Sequence, residues 1–282
     1  MAGLLYIVAT PIGNLEDITL RALRVLKEVH VIAAEDTRHT QTLLDHYGIT
    51  TPLTSYHEHN ERSKVRSLIE RLARGENIAL VSDAGTPAIS DPGYRLVGAA
   101  IREKLTVVPI PGASAALAVL SASGLPSDRF TFEGFLPASK QERKNKLQAL
   151  KGETRTMIFY EAPHRLKESL EDLLEIFGDR EISIGREVSK LHEEFLRGAV
   201  SAILLELAER GVKGELTLVV HGAMAAEFEI AEDQLKAEIG RLIAAGSGAK
   251  EIAELIGGRY GLAKREVYRR VLEIKNSKSS RD

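Results

Sequence analysis

Ser82, Asp83, Ala84, Gly85, Thr86 and Pro87 follow directly on the apolar run Ile78–Val81. Four unbroken apolar residues fit a strand covered on both faces. The switch to small polar residues puts a carboxylate and a glycine at the strand's carboxyl end. Ligands of open parallel sheets bind there, and glycine lets backbone approach a ligand closely. Asp91-Pro92-Gly93 closes the loop, and a helical pattern starts at Tyr94. The arrangement recurs. Thr10-Pro11-Ile12-Gly13-Asn14 follows the apolar run 4–9, Glu35-Asp36-Thr37-Arg38 follows 29–34, and Pro111-Gly112-Ala113-Ser114 follows Thr106–Ile110. Taken alone, the Asp83 loop is equally a tight connection with Asp83 capping a helix. Four such loops are better explained by one rim that holds a ligand.

That chemistry is holding rather than attack. The chain has no cysteine, which removes disulfides, thiolate metal sites and cysteine nucleophiles. It has no G-x-x-x-x-G-K-[ST], no G-x-G-x-x-G after the first strand, no H-E-x-x-H, and no G-x-S-x-G around Ser114. His57-Glu58-His59 alternates at a strand end without a third ligand, so no metal is expected.

The elements that position the loops alternate strand and helix from Leu4 to about Ser121, which predicts an α/β domain with a largely parallel sheet. A second α/β segment begins near Gly124. Its strands are Phe130–Phe135, 156–160, 181–188, 195–200 and 214–220, shorter and mixed, which suits antiparallel pairs. A very basic helix, Lys140–Leu150, lies within it. Residues 223–232 read as a linker. Helices over 231–245, 249–256 and 264–274 follow, with Gly257-Gly258 as the break of a helix-turn-helix. Val267, Val271 and Ile274 share one face of the last helix, with Arg265 and Arg269 opposite and Lys264 and Arg270 flanking. Residues 247–282 hold nine Lys or Arg against five acidic residues, whereas the whole chain has 38 against 40 and a net charge of −2. Global basicity therefore does not announce a nucleic acid. No apolar run reaches the roughly 20 residues of a membrane span and no signal peptide precedes the first strand, so a soluble cytoplasmic protein is expected. The expected domains are 1–122, 123–223 and 224–282.

With Tyr160-Glu161-Ala162-Pro163-His164-Arg165 added, the four loops resemble the tetrapyrrole-methylase superfamily. More narrowly they resemble its ribosomal branch, the small-subunit (16S) ribosomal RNA 2′-O-ribose methyltransferases. The resemblance covers nearly the whole chain. The porphyrin and corrin branches usually carry Gly-Asp-Pro where this chain has Asp83-Ala84-Gly85-Thr86-Pro87, which favours the RNA branch. The resemblance implies two α/β domains with S-adenosylmethionine (SAM) in the cleft between them, S-adenosylhomocysteine as product, and a small C-terminal helical domain. It further implies a homodimer acting on the ribose of a decoding-centre cytidine in 16S ribosomal RNA or the small subunit.

For SAM the resemblance assigns Pro11, Ile12, Asp83, Gly85, Thr86, Pro87, Ser114 and Ala115, with Phe159, Tyr160, Glu215 and Leu216 from the second domain. Methyl transfer to a hydroxyl is an in-line displacement, so alignment supplies up to ~7–11 kcal/mol. A base or a stabilising cation adds about 10²–10⁴-fold. Glu35, Asp36, Arg38, Glu161, His164, Arg165 and Lys190 are the candidates, and the sequence does not choose among them. Lys140, Arg143, Lys144, Lys146, Lys264, Arg265, Arg269 and Arg270 are expected to meet RNA phosphates. Two alternatives differ in class: a SAM-dependent small-molecule methylase of tetrapyrrole type, and a non-catalytic ribosome-assembly factor. The basic helix and the C-terminal helices speak against the first, the cofactor loops against the second.

Overall fold

A computed structural model describes residues 1–208, 210–224, 232–260, 262 and 264–279. Part of the 223–232 linker, Gly261 in the Gly-rich stretch and the last three residues lie outside the described residues. The chain divides into two compact units, Met1–His221 and Gly222–Asp282.

The first unit holds two five-stranded sheets. Strands β1 (Leu4–Val8), β2 (Val31–Ala34), β3 (Leu53–Ser55), β4 (Ile78–Val81) and β5 (Thr106–Ile110) alternate with helices α1 (Leu20–Glu28), α2 (Thr37–His46), α3 (Glu61–Ala73) and α4 (Tyr94–Arg102). All pairings are parallel, in the order β3-β2-β4-β1-β5. Central β2 and β4 are buried at every residue, as their unbroken apolar runs require. Residues of α1 and α2 pack on one face, and residues of α3 and α4 on the other. Right-handed crossovers produce this division, because the chain first moves from β1 toward β3 and then reverses toward β5. Connections leaving β1 and β2 therefore go to one face and those leaving β3 and β4 to the other. A crevice opens at the carboxyl ends where they part.

The second sheet has the order β6-β7-β10-β8-β9, from β6 (Phe130–Phe135), β7 (Thr156–Glu161), β8 (Glu181–Arg186), β9 (Glu194–Ala199) and β10 (Leu216–Val220). Only β6 and β7 are parallel. Helices α6 (Lys140–Leu150), α7 (Leu166–Phe177) and α8 (Val200–Ala208) cover one face. The other face is covered by α5 (Ala115–Ser123), which follows β5 in sequence. Its Ala116, Val119 and Leu120 pack on Ile158 and Val219 of the second sheet. Strand β8 stops at Arg186, short of residue 188, because Glu187 and Ser189 take positive φ values of 49° and 67°.

The second unit is α9 (Glu232–Ala244), α10 (Ala249–Tyr260) and α11 (Lys264–Ser279) around a core of Leu235, Ile239, Ile252, Ile256, Val267 and Val271. The expected break at Gly257-Gly258 is corrected, since α10 continues to Tyr260. Gly257 serves contact instead: a Cβ there would lie 2.9 Å from the Leu262 carbonyl oxygen. Among the described residues, no helix is long and apolar enough to cross a membrane.

Candidate active site

The loops at the carboxyl ends of β1, β2, β4 and β5 are tied to one another by short hydrogen bonds. The Thr10 N–H donates to Gly85 O at 2.9 Å and the Gly85 N–H returns to Thr10 O at 3.0 Å. Thr10 Oγ1 donates to Ser82 O at 3.1 Å, and Thr86 Oγ1 to Ala113 O at 3.2 Å. Gly85 holds φ at +78°, which its lack of Cβ permits. Asp83 is not a helix cap: the N-cap of α4 is Gly93, and Asp83 Oδ1 accepts the Asp36 N–H at 2.9 Å, joining the β4 and β2 loops.

The β1, β4 and β5 loops form one wall of a cavity of about 360 Å³ between the two sheets, within the range of small-molecule sites. Ile12, Gly85, Thr86, Ser114 and Ala115 line the first wall, and Tyr160, Glu215 and Leu216 the second. Tyr160 is wedged edge-on between Phe132 and Phe135, with ring centroids 5.0 and 5.4 Å away. Ser114 precedes α5 without a side-chain capping bond, and in the first turn of the helix the Ala116 N–H donates to the Tyr160 hydroxyl across the cavity. A smaller outer cavity of about 200 Å³ shares Ile12, Ala84 and Glu215 with the first. It adds Pro11, Gly13, His39, Thr40, Asp83 and Lys190. Of the expected ligand residues, Pro87 lines neither cavity. The Phe159 side chain points to the opposite face, into the core with Leu166 and Leu170. Ile89, Ser90, Asp91, Gly185, Val188 and Thr217 line the main cavity without having been expected. For Ile89, Ser90 and Asp91 the Asp91-Pro92-Gly93 punctuation was the one signal. Ala88 and Ser90 flank Ile89 at φ +68° and +63°, so that segment is held in an unusual conformation.

The seven candidates for proton transfer or charge stabilisation separate by environment. Asp36 caps α2 and chelates Arg38, whose side chain is exposed; that guanidinium holds the Asp36 carboxyl far below its usual range. Glu161 is fully buried and accepts from the Ala162 N–H, Ser169 Oγ and Arg165 Nη2 at 2.7, 2.5 and 2.7 Å, so it and Arg165 brace the loop after β7. His164 lies in the adjoining single turn Pro163–Arg165 and lines neither cavity. Lys190 Nζ lies 2.8 Å from Glu187 and 3.2 Å from Glu215. Its stem crosses the β1 loop so closely that a Cβ at Gly13 would fall 2.4 Å from Lys190 Cγ. Burial alone would lower the Lys190 pKa, but the two carboxylates outweigh it and hold the group above its ordinary value. Lys190 is therefore a permanent cation at neutral pH.

Glu35 stands at the end of β2 outside both cavity walls. Burial raises its pKa, and so do the charges of Asp91 and Asp83. A carboxylate raised in the folded state holds its proton longer there than when unfolded, so stability falls as pH rises from the unfolded value, and the full cost is in place above the folded value. Glu35→Gln is expected to melt higher than the parent at pH 7. The difference should vanish below the ordinary carboxylate value of 4.5, where Glu35 is protonated in both states. Thermal melts at both pH values check this, and a Glu35→Gln protein less stable at pH 7 contradicts it.

The expected RNA contacts divide as well. Arg143 is corrected: it is 0% exposed, and its Nε donates to Asp172 Oδ2 at 2.7 Å, so it cannot reach a phosphate. Lys144 is held by Glu175 at 2.6 Å and Lys146 by the Glu133 carbonyl at 2.5 Å. On α6 only Lys140 is both exposed and without such a partner among the described residues. On α11, Lys264 pairs with Glu254 and Arg270 with Glu266. Arg265 and Arg269 are exposed opposite buried Val267 and Val271, with Arg269 only loosely paired at 3.9 Å from Glu273.

Comparison with known proteins bears on this geometry. Residues 4–204 match the family model described as Tetrapyrrole (Corrin/Porphyrin) Methylases. The chain is 50% identical over 270 residues to ribosomal RNA small subunit methyltransferase I of Halalkalibacterium halodurans, covering 94% of this chain and 93% of that protein. It is 47% identical over 274 residues to the protein of the same name from Escherichia coli O157:H7, covering 96% and 95%. Among solved structures, uroporphyrin-III-C-methyltransferase from Thermus thermophilus shares the fold at TM-score 0.55 and 24% identity, covering 77% of this chain and 94% of its own. Diphthine synthase does so at TM-score 0.60 and 17% identity, covering 78% and 90%.

Proposed function

The chain belongs to the tetrapyrrole (corrin/porphyrin) methylase family, among the ribosomal RNA small subunit methyltransferases I, and from that premise we propose that it moves a methyl group from SAM to the ribose 2′-hydroxyl of a decoding-centre cytidine in 16S ribosomal RNA. The observation that carries this is the extent of the kinship. Identity near one half runs through at least 94% of the chain in both relatives, beyond residue 204 where the family model ends. The solved enzymes above match only 77–78% of the chain, a share close to that of Met1–His221 alone.

The cavity suits SAM on charge as well as size. Asp91 and Glu215 in its walls complement a sulfonium and an amino group. Burial and the Asp83 charge raise the Asp91 pKa, a repulsion that a bound cation relieves. The start of α5, where the Ser114 side chain makes no capping bond, offers donors to a carboxylate. When bound, SAM would supply an electrophilic methyl: the new O–C bond would form in line as the S–C bond breaks, S-adenosylhomocysteine would leave, and the hydroxyl proton would pass to solvent. The protein's part is alignment, exclusion of water and stabilisation of negative charge on that oxygen. Lys190 supplies the cation, and the outer cavity beside it receives the acceptor nucleotide. Arg265, Arg269 and Lys140 hold RNA phosphates, and the protein works as a cytoplasmic homodimer.

Calorimetry with S-adenosylhomocysteine should give one site per chain. Asp83→Ala should weaken it by about 1.5–3 kcal/mol, the worth of a hydrogen bond to a charged group, because the β2 and β4 loops lose their link. Unchanged affinity in a folded Asp83→Ala protein removes Asp83 from the site. Offered labelled SAM with small-subunit RNA, assembled small subunits or a tetrapyrrole, the enzyme should label ribosomal RNA. Label in the tetrapyrrole alone overturns the assignment.

A further inference from the structure

Helices α3 and α4 lie side by side on the parallel sheet, with Leu68, Leu72, Leu96 and Ala100 in one core cluster. Between them runs a groove of about 320 Å³, lined by Arg62 and Val65 from α3 and by Tyr94, Arg95, Gly98 and Arg102 from α4. Helical periodicity aligns these residues. Tyr94, Gly98 and Arg102 are spaced i, i+4, i+8, and Arg62 and Val65 i, i+3, so each set shares one helix face. Three of the six lining side chains are guanidiniums and none is a carboxylate.

The charges are not all neutralised in place. Arg95 Nε donates to Glu61 Oε1 at 2.6 Å, and its guanidinium lies 5.4 Å from the Tyr94 ring centroid. Arg62 and Arg102 are exposed and form no ion pair among the described residues. Elsewhere on the same unit, Arg24 sits on Glu28 and Arg66 on Glu70, each at 3.0 Å. Tyr94 itself is 68% exposed, an aromatic ring left in solvent at the first residue of α4, with Arg102 at the last. The groove begins at the active-site rim, because Tyr94 follows Asp91 by three residues, and Ile89, Ser90 and Asp91 line the main cavity.

The geometry points to this groove as a track for the single-stranded ribosomal RNA next to the target nucleotide, with phosphates on Arg62 and Arg102 and an unpaired base stacked on Tyr94. It rests on the function proposed above. Planar guanidiniums match phosphate oxygens in pairs. Aromatic rings take up bases only where these are unstacked, which selects a single strand over a duplex. A chain of net charge −2 must gather its attraction for RNA in local patches of this kind.

The test uses the full-length protein and small-subunit RNA. Arg62→Gln with Arg102→Gln should weaken RNA binding about tenfold or more at low salt. It should also flatten the dependence of log affinity on log salt by roughly 1.4–1.8, two contacts at about 0.7–0.9 each. Tyr94→Ala should weaken binding about tenfold without changing that slope, and Tyr94→Phe should keep wild-type affinity. S-adenosylhomocysteine affinity and kcat at saturating RNA should be unchanged throughout, with the KM for RNA raised in the weakened variants. If the arginine pair and Tyr94→Ala both keep wild-type affinity, slope and KM while the parent methylates RNA, the groove is not the track and the proposed function survives. A parent protein that neither binds nor methylates ribosomal RNA overturns both.

Discussion

Arg143→Ala is expected to lower the unfolding free energy by about 3–5 kcal/mol, the cost of leaving one member of a buried ion pair alone. The pair joins α6 to α7. Arg143 Nε donates to Asp172 Oδ2 at 2.7 Å, Nη2 lies 3.3 Å from Glu168, and the Asp172 side chain is only 4% exposed. Leu147, Leu166, Leu170 and Leu173 lie in the core beneath these two helices. Without the guanidinium, Asp172 keeps only Lys144 at 3.7 Å, which puts the effect toward the lower end of the range. Since domains are stable by about 5–15 kcal/mol, this is a large share. Arg143→Met with Asp172→Leu should recover most of it, because a well-packed apolar pair often replaces a buried ion pair at little cost. Urea unfolding of the single and double variants gives both numbers. A single variant that unfolds like the parent but loses RNA affinity would return Arg143 to the RNA surface.

Lys190→Met should lower kcat by about 10²–10⁴-fold, equivalent to about 3–5 kcal/mol of transition-state stabilisation at 1.36 kcal/mol per decade. Glu187 and Glu215 hold the ammonium over the β1 loop and keep it charged. A fixed cation of this kind stabilises charge as it develops on the acceptor oxygen and has no need to move a proton. Lys190→Arg, which retains the charge, should restore part of the rate. S-adenosylhomocysteine affinity should change little, because Lys190 lines the outer cavity and not the main one. If Lys190→Met keeps kcat within about threefold of the parent, the stabilising group lies elsewhere on the rim.

The ligand rim was legible because four of the five strands of the parallel sheet announce themselves as apolar runs and end abruptly in loops carrying Gly, Pro, Asp, Ser or Thr. Crossover handedness then gathers those ends into one crevice. Long-range pairing was not legible. Lys140, Arg143, Lys144 and Lys146 look like one basic face, and nothing nearby in sequence reveals that Asp172 waits 29 residues away. A local signal existed even so: Arg143, Leu147 and Leu150 are spaced i, i+4, i+7, which places the arginine on the helix's apolar stripe. Strand alternation carried a similar warning at β7. Phe159 and Tyr160 are consecutive, so only one of them can face the cavity. The α3–α4 groove escaped because its cations come from two helices about 30 residues apart, each ordinary by itself.

The central claim is methylation of a ribose hydroxyl in ribosomal RNA, and alkaline hydrolysis of the labelled product tests it most directly. Small subunits or their RNA, incubated with methyl-labelled SAM and this protein, are digested in alkali. The base-catalysed cleavage needs a free 2′-hydroxyl, so a methylated ribose protects the bond that follows it. The account predicts label in a single alkali-stable dinucleotide whose first residue is cytidine, mapping to the decoding centre. Label released in mononucleotides, as base methylation would give, or no label in RNA at all, contradicts it.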